Sequence, residues 1–152
     1  MAKVYVGYET YGLEGIDDEL VQFIFDVVIS LTKLDSESEA GLILATDKRM
    51  RELNKKYRDK NALANILTFT YAESTPKEMR SAEDKNYLGD IFISRAELIR
   101  EAKAQKVSYK ERFVHLFAHG LLHLAGIHHP NEKAAMRMEK LEDKVIELVL
   151  SA

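Results

Sequence analysis

The chain has 152 residues, a net charge of −3 and no cysteine. That length suffices for one domain with a proper core, and without thiols any metal must be held by histidine or carboxylate, with no disulfide framework. The acidic balance excludes a globally basic nucleic-acid binder, though not a local basic patch.

In chain order, Val4, Tyr5, Val6 and Tyr8 alternate as a first strand that Gly12 and Gly15 end. Asp17 or Asp18 caps a helix running to Leu31, with Leu20, Phe23, Ile24, Val27, Val28 and Leu31 as its apolar face. The polar segment Asp35–Glu39 leads to a second strand over Ala40–Ala45. Thr46 or Asp47 caps a short helix with Met50, Leu53 and Tyr57 inward. Ile66–Tyr71 is a third strand, and the polar stretch Ala72–Asn86 reads as a mobile loop. Leu88–Ile93 is a fourth strand. Ser94-Arg95-Ala96-Glu97 and Ser108-Tyr109-Lys110-Glu111 are capping-box signatures that open two further helices. The second of these carries Phe113, Leu116, Phe117, Leu121, Leu122 and Leu124, apolar nearly all round, and so belongs at the centre of the protein. A last amphipathic helix spans Glu132–Leu148, with Met138, Leu141, Val145 and Leu148 inward. The expected fold is α+β: a small mixed four-stranded sheet, mostly parallel with one antiparallel strand, packed against about five helices in a single domain over residues 1–152. Met1–Tyr8 carries no apolar signal core, and the apolar run within Leu20–Leu31 is interrupted by Gln22 and Asp26. A cytoplasmic protein without a membrane segment is the expectation.

All five histidines lie between His115 and His129. His119 and His123 are one helical turn apart and share a face. Gly126 ends the helix, so that His129 returns towards the pair. This spacing resembles the zincin pattern, in which a helix supplies two ligands and a glycine turn the third. His119, His123 and His129 are therefore the expected ligands of one zinc ion, with a coordination position left open for water. The glutamate that serves metalloproteases as general base is here Gly120, which argues against peptide hydrolysis and is expected to leave room beside the metal for a bulkier phosphodiester. His115 is too far along the helix to share an ion with His123, about 12 Å by helical rise, so it takes a supporting role. His128 is either an acid/base group or simply exposed.

Lys48, Arg49, Arg51, Lys55, Lys56, Arg58 and Lys60 crowd together, diluted by Glu52 and Asp59. Such an excess attracts a polyanion or forms a solvated helix face. Tyr57, Phe69 and Tyr71 are candidates for base stacking, Phe69 equally for the core.

These residues together resemble the YbeY family of bacterial metal-dependent endoribonucleases. Its pattern His-Gly-x-Leu-His-Leu-x-Gly-Tyr-Asp-His is similar to His119–His129, with Ile127 and His128 replacing the tyrosine and aspartate. Its Leu-Asn-x3-Arg segment corresponds to Leu53–Arg58, its Thr-Asp-Val-Leu-Ser-Phe strand to Ala64–Phe69 with Asn65 for the aspartate, and its Leu-Gly-Asp-Ile strand to Leu88–Ile91. The resemblance implies zinc-dependent cleavage of single-stranded RNA in ribosomal RNA maturation, namely 16S 3′-end processing, and ribosome quality control, with an rRNA precursor and the ribosome as partners. It places the conserved arginine on Arg58, which would hold the scissile phosphate beside Lys55 and Lys56. The general base stays open among His128, Asp90 and a metal-bound hydroxide. Two alternatives stand beside this: a zinc-stabilised, non-catalytic RNA-binding assembly factor, and a metallohydrolase of another bond.

Overall fold

Four runs rich in β-branched and aliphatic residues form the strands: β1 (Lys3–Tyr8), β2 (Glu39–Ala45), β3 (Ile66–Thr70) and β4 (Tyr87–Ser94). The computed structural model describes residues 1–152. The strands make one sheet in the order β1-β2-β4-β3, with β1, β2 and β4 parallel and β3 antiparallel on an edge. The expected mixed α+β fold is the one observed.

Six α-helices accompany the sheet: α1 (Asp18–Leu31), α2 (Asp47–Arg58), α3 (Tyr71–Ser74), α4 (Arg95–Gln105), α5 (Tyr109–Leu124) and α6 (Glu132–Leu150). Asp17 caps α1 and Thr46 caps α2, each accepting a hydrogen bond from a backbone N–H in the first turn. The polar segment expected to lack structure holds the single turn of α3 and two 3-10 turns, Lys77–Met79 and Ala82–Asp84. Thr70 and Glu73 form a reciprocal capping box there, a signal the sequence displays but a four-residue helix makes easy to overlook.

Three corrections concern which helix residues turn inward. On α1 the buried stripe includes Val21, Ile24, Phe25 and Val28, whereas Phe23 is exposed. On α6 it runs through Ala134, Met138, Glu142, Val145 and Val149, and Leu148 tips outward. Both helices contact each other as well as α5, so their apolar arcs are set by two neighbours rather than one. Tyr57 of α2 is likewise half exposed, packed edge-on against Phe69.

Helix α5 lies at the centre, against α1, α4, α6, β3 and β4. Phe113, Val114, Leu116, Phe117, Ala118, Leu121 and Leu122 are all buried on it. Gly120 faces the sheet: a Cβ there would meet Ile66 Cδ1 at 3.0 Å and Ile91 Cδ1 at 3.1 Å. Glycine therefore allows α5 to settle onto β3 and β4 at a separation that a side chain would forbid. The substitution Gly120→Glu, which would restore the metalloprotease spacing, forces a carboxylate into this apolar contact. It is expected to destabilise the protein by about 3 kcal/mol or more, measured as a lowered urea midpoint at unchanged slope.

Candidate metal centre

The last two turns of α5 present His119 and His123 on one face, as their spacing requires. At the helix end Gly126 adopts φ +85°, and the Ile127 N–H donates to the Leu122 carbonyl at 3.0 Å. This is the left-handed turn that reverses a chain after a helix. It brings the His129 ring centroid to 6.0 Å from that of His119 and 5.3 Å from that of His123. One ring nitrogen from each of the three histidines lies within 4.8 Å of the other two, a cluster that could hold a metal ion. His119 and His123 are half-buried and His129 is exposed.

The pair on the helix is close, with Nε2 of His119 and Nε2 of His123 separated by 2.9 Å. Burial lowers the His123 pKa to about 4, helped by the neighbouring His119, His129 and His128. It is thus neutral at pH 7, the form that ligates a metal. The other ring nitrogen of His119, Nδ1, lies 2.5 Å from Oε2 of Glu142 on α6. Oε1 of the same carboxylate is 3.0 Å from Nε2 of His115, and Nη1 of Arg112 is 3.1 Å from Nδ1 of His115. His115 accordingly stands behind the cluster, in the supporting place its distance along the helix predicts. Burial alone would raise the Glu142 carboxyl, yet the hydrogen bonds from His115 and His119 outweigh it and hold its pKa at about 2.

A cleft of about 460 Å³ opens in front of His119 and His123, against the outer edge of β3. Arg58 and Lys60 line it together with Asn54, Ile66 and Thr68, and none of its lining residues is a carboxylate. Arg58 ends α2 with its guanidinium 4.8 Å from the Phe69 ring centroid. It donates to the Thr68 carbonyl at 2.7 Å and to Glu73 at 2.8 Å. Lys60 reaches the cleft because α2 stops at the left-handed Asp59, and Asn54 Nδ2 then ties the returning loop by donating to the Ala62 carbonyl at 3.0 Å.

Not every expected residue is gathered here. Lys55 and Lys56 are exposed and do not line the cleft, and Lys56 instead sits 5.1 Å from the Tyr57 ring centroid. Lys60 and Asn54 line the cleft instead. Asp90 alternates away from Ile91, onto the sheet face opposite α5, where it accepts from the Tyr87 hydroxyl at 2.5 Å. It is a hydrogen-bonding strand residue and is removed from any base role at the cluster. His128 is exposed, its centroid 5.7 Å from that of His123 but outside the three-nitrogen set. Gly120 opens no space beside the histidines, because Ile66 and Ile91 fill what its side chain would occupy. Tyr71 is held by Asp84 at 2.9 Å rather than presented for stacking.

A glycine-terminated helix carrying two histidines, a third returned by the following turn, and a short mixed sheet beside it form a zincin-like arrangement that could hold a metal ion. The comparisons narrow this class. Residues 14–149 match the family model described as Endoribonuclease YbeY, so the chain belongs to the YbeY family. An Endoribonuclease YbeY from Dichelobacter nodosus is 34% identical over 152 residues, covering 96% of this chain and 93% of that protein. One from Thermodesulfovibrio yellowstonii is 31% identical over 134 residues, covering 84% and 80% respectively. A Thermotoga maritima protein of known solution structure superimposes with a TM-score of 0.67 at 22% identity, over 97% of this chain and 89% of that one, which shows a shared fold.

Acid should unfold the metal-free protein in two overlapping stages. The unfolded chain takes up the His123 proton near pH 6.5 but the folded chain only near 4, so stability falls as pH falls across that window. Glu142 is protonated near 4.5 when unfolded and near 2 when folded, so its contribution is lost between those values. Urea midpoints measured in chelator should decline steadily below pH 6.5. A level midpoint down to pH 4 would show that His123 is not held neutral.

Proposed function

We propose that residues 1–152 form a single metal-dependent endoribonuclease domain that cleaves single-stranded RNA in ribosomal RNA maturation. The proposed setting is the cytoplasm, with an rRNA precursor on or near the ribosome as substrate, 16S 3′-end processing as the step and ribosome quality control as the wider role. The names of the YbeY relatives support the nuclease reading. The observation that carries it is the joint opening of a three-histidine cluster and two cations, Arg58 and Lys60, into a cleft lined without a carboxylate. Such a cleft attracts a phosphodiester backbone, with one guanidinium nitrogen of Arg58 shared with Glu73 at 2.8 Å. It also lacks the acid that would activate water in a peptidase.

The donor set fits zinc. Three imidazoles and no thiolate suit a borderline ion. One ring nitrogen of each histidine lies within 4.8 Å of the other two, so the three can share one ion. When bound by His119, His123 and His129, zinc supplies Lewis-acid polarisation of a phosphoryl oxygen or an acidified water.

The chain's own groups do the rest. Arg58 is pinned by Thr68 and Glu73 with its guanidinium facing the cleft, so its orientation costs little further entropy when a phosphate arrives. Lys60 adds an unoriented positive charge for an adjacent phosphate. Ile66 and the Leu63–Ala64 stretch give the cleft an apolar wall that excludes water. Three protein donors leave the site open towards this cleft, whereas a purely structural zinc is closed by a fourth.

The test is cleavage of an unstructured RNA by the zinc-loaded protein, with a duplex as control. Arg58→Ala is expected to lower the rate about 10²–10³-fold with zinc content unchanged. His119→Ala should lose zinc and cleavage together. RNA binding with no cleavage by the native protein would overturn the nuclease reading.

A further inference from the structure

Glu142 is a carboxylate on the apolar stripe of α6, between Met138 and Val145, and only 5% exposed. A buried charge there is destabilising unless something specific compensates it. Both of its oxygens are engaged, one by His119 on the cluster and one by His115. The donors can be assigned. Arg112 can only donate, so Nδ1 of His115 accepts from it, and the His115 proton must sit on Nε2, which donates to Glu142. Ionised Glu142 can only accept, so His119 must carry its proton on Nδ1. The lone pair of neutral His119 is thereby placed on Nε2, the atom that faces His123.

Arg112 is itself held from behind. Its Nη2 lies 2.7 Å from Oε1 of Glu101, and Asn65 Nδ2 donates to Oε2 of Glu101 at 3.0 Å. Asn65 immediately precedes β3, whose Ile66 lines the cleft. One continuous set of hydrogen bonds thus joins the base of the cleft to the rear of His119 through α4, α5 and α6.

We propose that Glu142, oriented by His115 and Arg112, is a positioning residue that fixes the tautomer and ring orientation of His119 so that Nε2 is the atom offered to the metal. This rests on the three-histidine metal reading above. A carboxylate behind a metal-binding imidazole also raises its basicity and prevents ring rotation that would otherwise have to be lost on binding. Asn54, another buried polar side chain, bonds instead to the Ala62 carbonyl and lies on no such path to the cluster.

Two measurements on the full chain test it. Zinc affinity is read by competition with a chromogenic chelator, and the His119 tautomer of the metal-free protein by long-range imidazole proton–nitrogen correlation spectra. Glu142→Gln is expected to weaken zinc binding about 10–100-fold and to convert His119 from a uniform Nδ1–H form to a mixture. Arg112→Gln, which leaves Glu142 in place but frees His115, should shift both readouts in the same direction by a smaller factor; it serves as the deciding variant where Glu142→Gln does not fold. A folded variant of the deciding pair that binds zinc within twofold of the native protein and keeps the Nδ1–H form overturns the proposal. Should the native protein bind no zinc, the metal reading fails instead, and the tautomer spectra still decide whether Glu142 sets the His119 proton.

Discussion

The close approach of α5 to the sheet governs where everything functional lies. At Gly120 the helix has no side chain, and Ile66 and Ile91 reach to within van der Waals contact of its backbone. Since Ile66 belongs to β3 and His119 immediately precedes Gly120 on α5, the same contact sets the distance between the histidines and the edge strand. The cleft is the space left between them, and its floor is as rigid as the core it is built on. Glycine in the middle of a helix costs about 1 kcal/mol relative to alanine, and the return is a tight helix–sheet interface. The position that carries the catalytic glutamate in metalloproteases thus serves packing here, and the chemistry of the site is shifted onto groups in front of the histidines and behind them.

A central helix that is apolar nearly all round has nowhere inexpensive to place polar side chains. His115, His119 and His123 all project from its one interrupted face, and α6 answers them with Glu142 rather than another aliphatic residue. No buried side-chain nitrogen or oxygen is left without a hydrogen-bond partner. That complete satisfaction is what makes a buried carboxylate tolerable, because removing any one member would leave the next unpaired in a medium of low polarity. It also explains Asn65, which stands where the family pattern has an aspartate. Its amide donates to Glu101, whereas an acid at that position would face a second carboxylate.

Much of this was legible in the amino-acid sequence where local periodicity and tertiary demand agree. The histidine spacing, the Gly126 turn, the serine caps of α4 and α5 and the mixed sheet all follow from rules spanning a few residues. Arg58 was legible through the family pattern, and the structure sets it in the cleft. Glu142 was not, although a glutamate at the centre of the Met138–Val145 stripe is the kind of residue that periodicity flags as out of place. Its partners are 23 and 27 residues away, and nothing local says that they meet. Lys55 and Lys56, expected beside the phosphate, lie outside the cleft lining. Charge density along a helix is a one-dimensional quantity, while the cleft sees only the side chains that the end of α2 and the Asp59 turn direct towards it, which are Arg58 and Lys60.

The cluster ends up between two unlike environments. In front lies the cation-lined cleft, and behind, a recess of about 310 Å³ lined by His115, His119 and His129 with Glu139 and Glu142. On the proposed reading, the positive side would favour a polyanion and the negative side a cation held by the imidazoles. The two fields also oppose misplacement. A phosphate that slid past the histidines would meet carboxylates, and a metal that drifted forward would meet Arg58 and Lys60. Selectivity of this kind comes from like charges set against the wrong arrangement, and it needs no residue beyond those that already build the site.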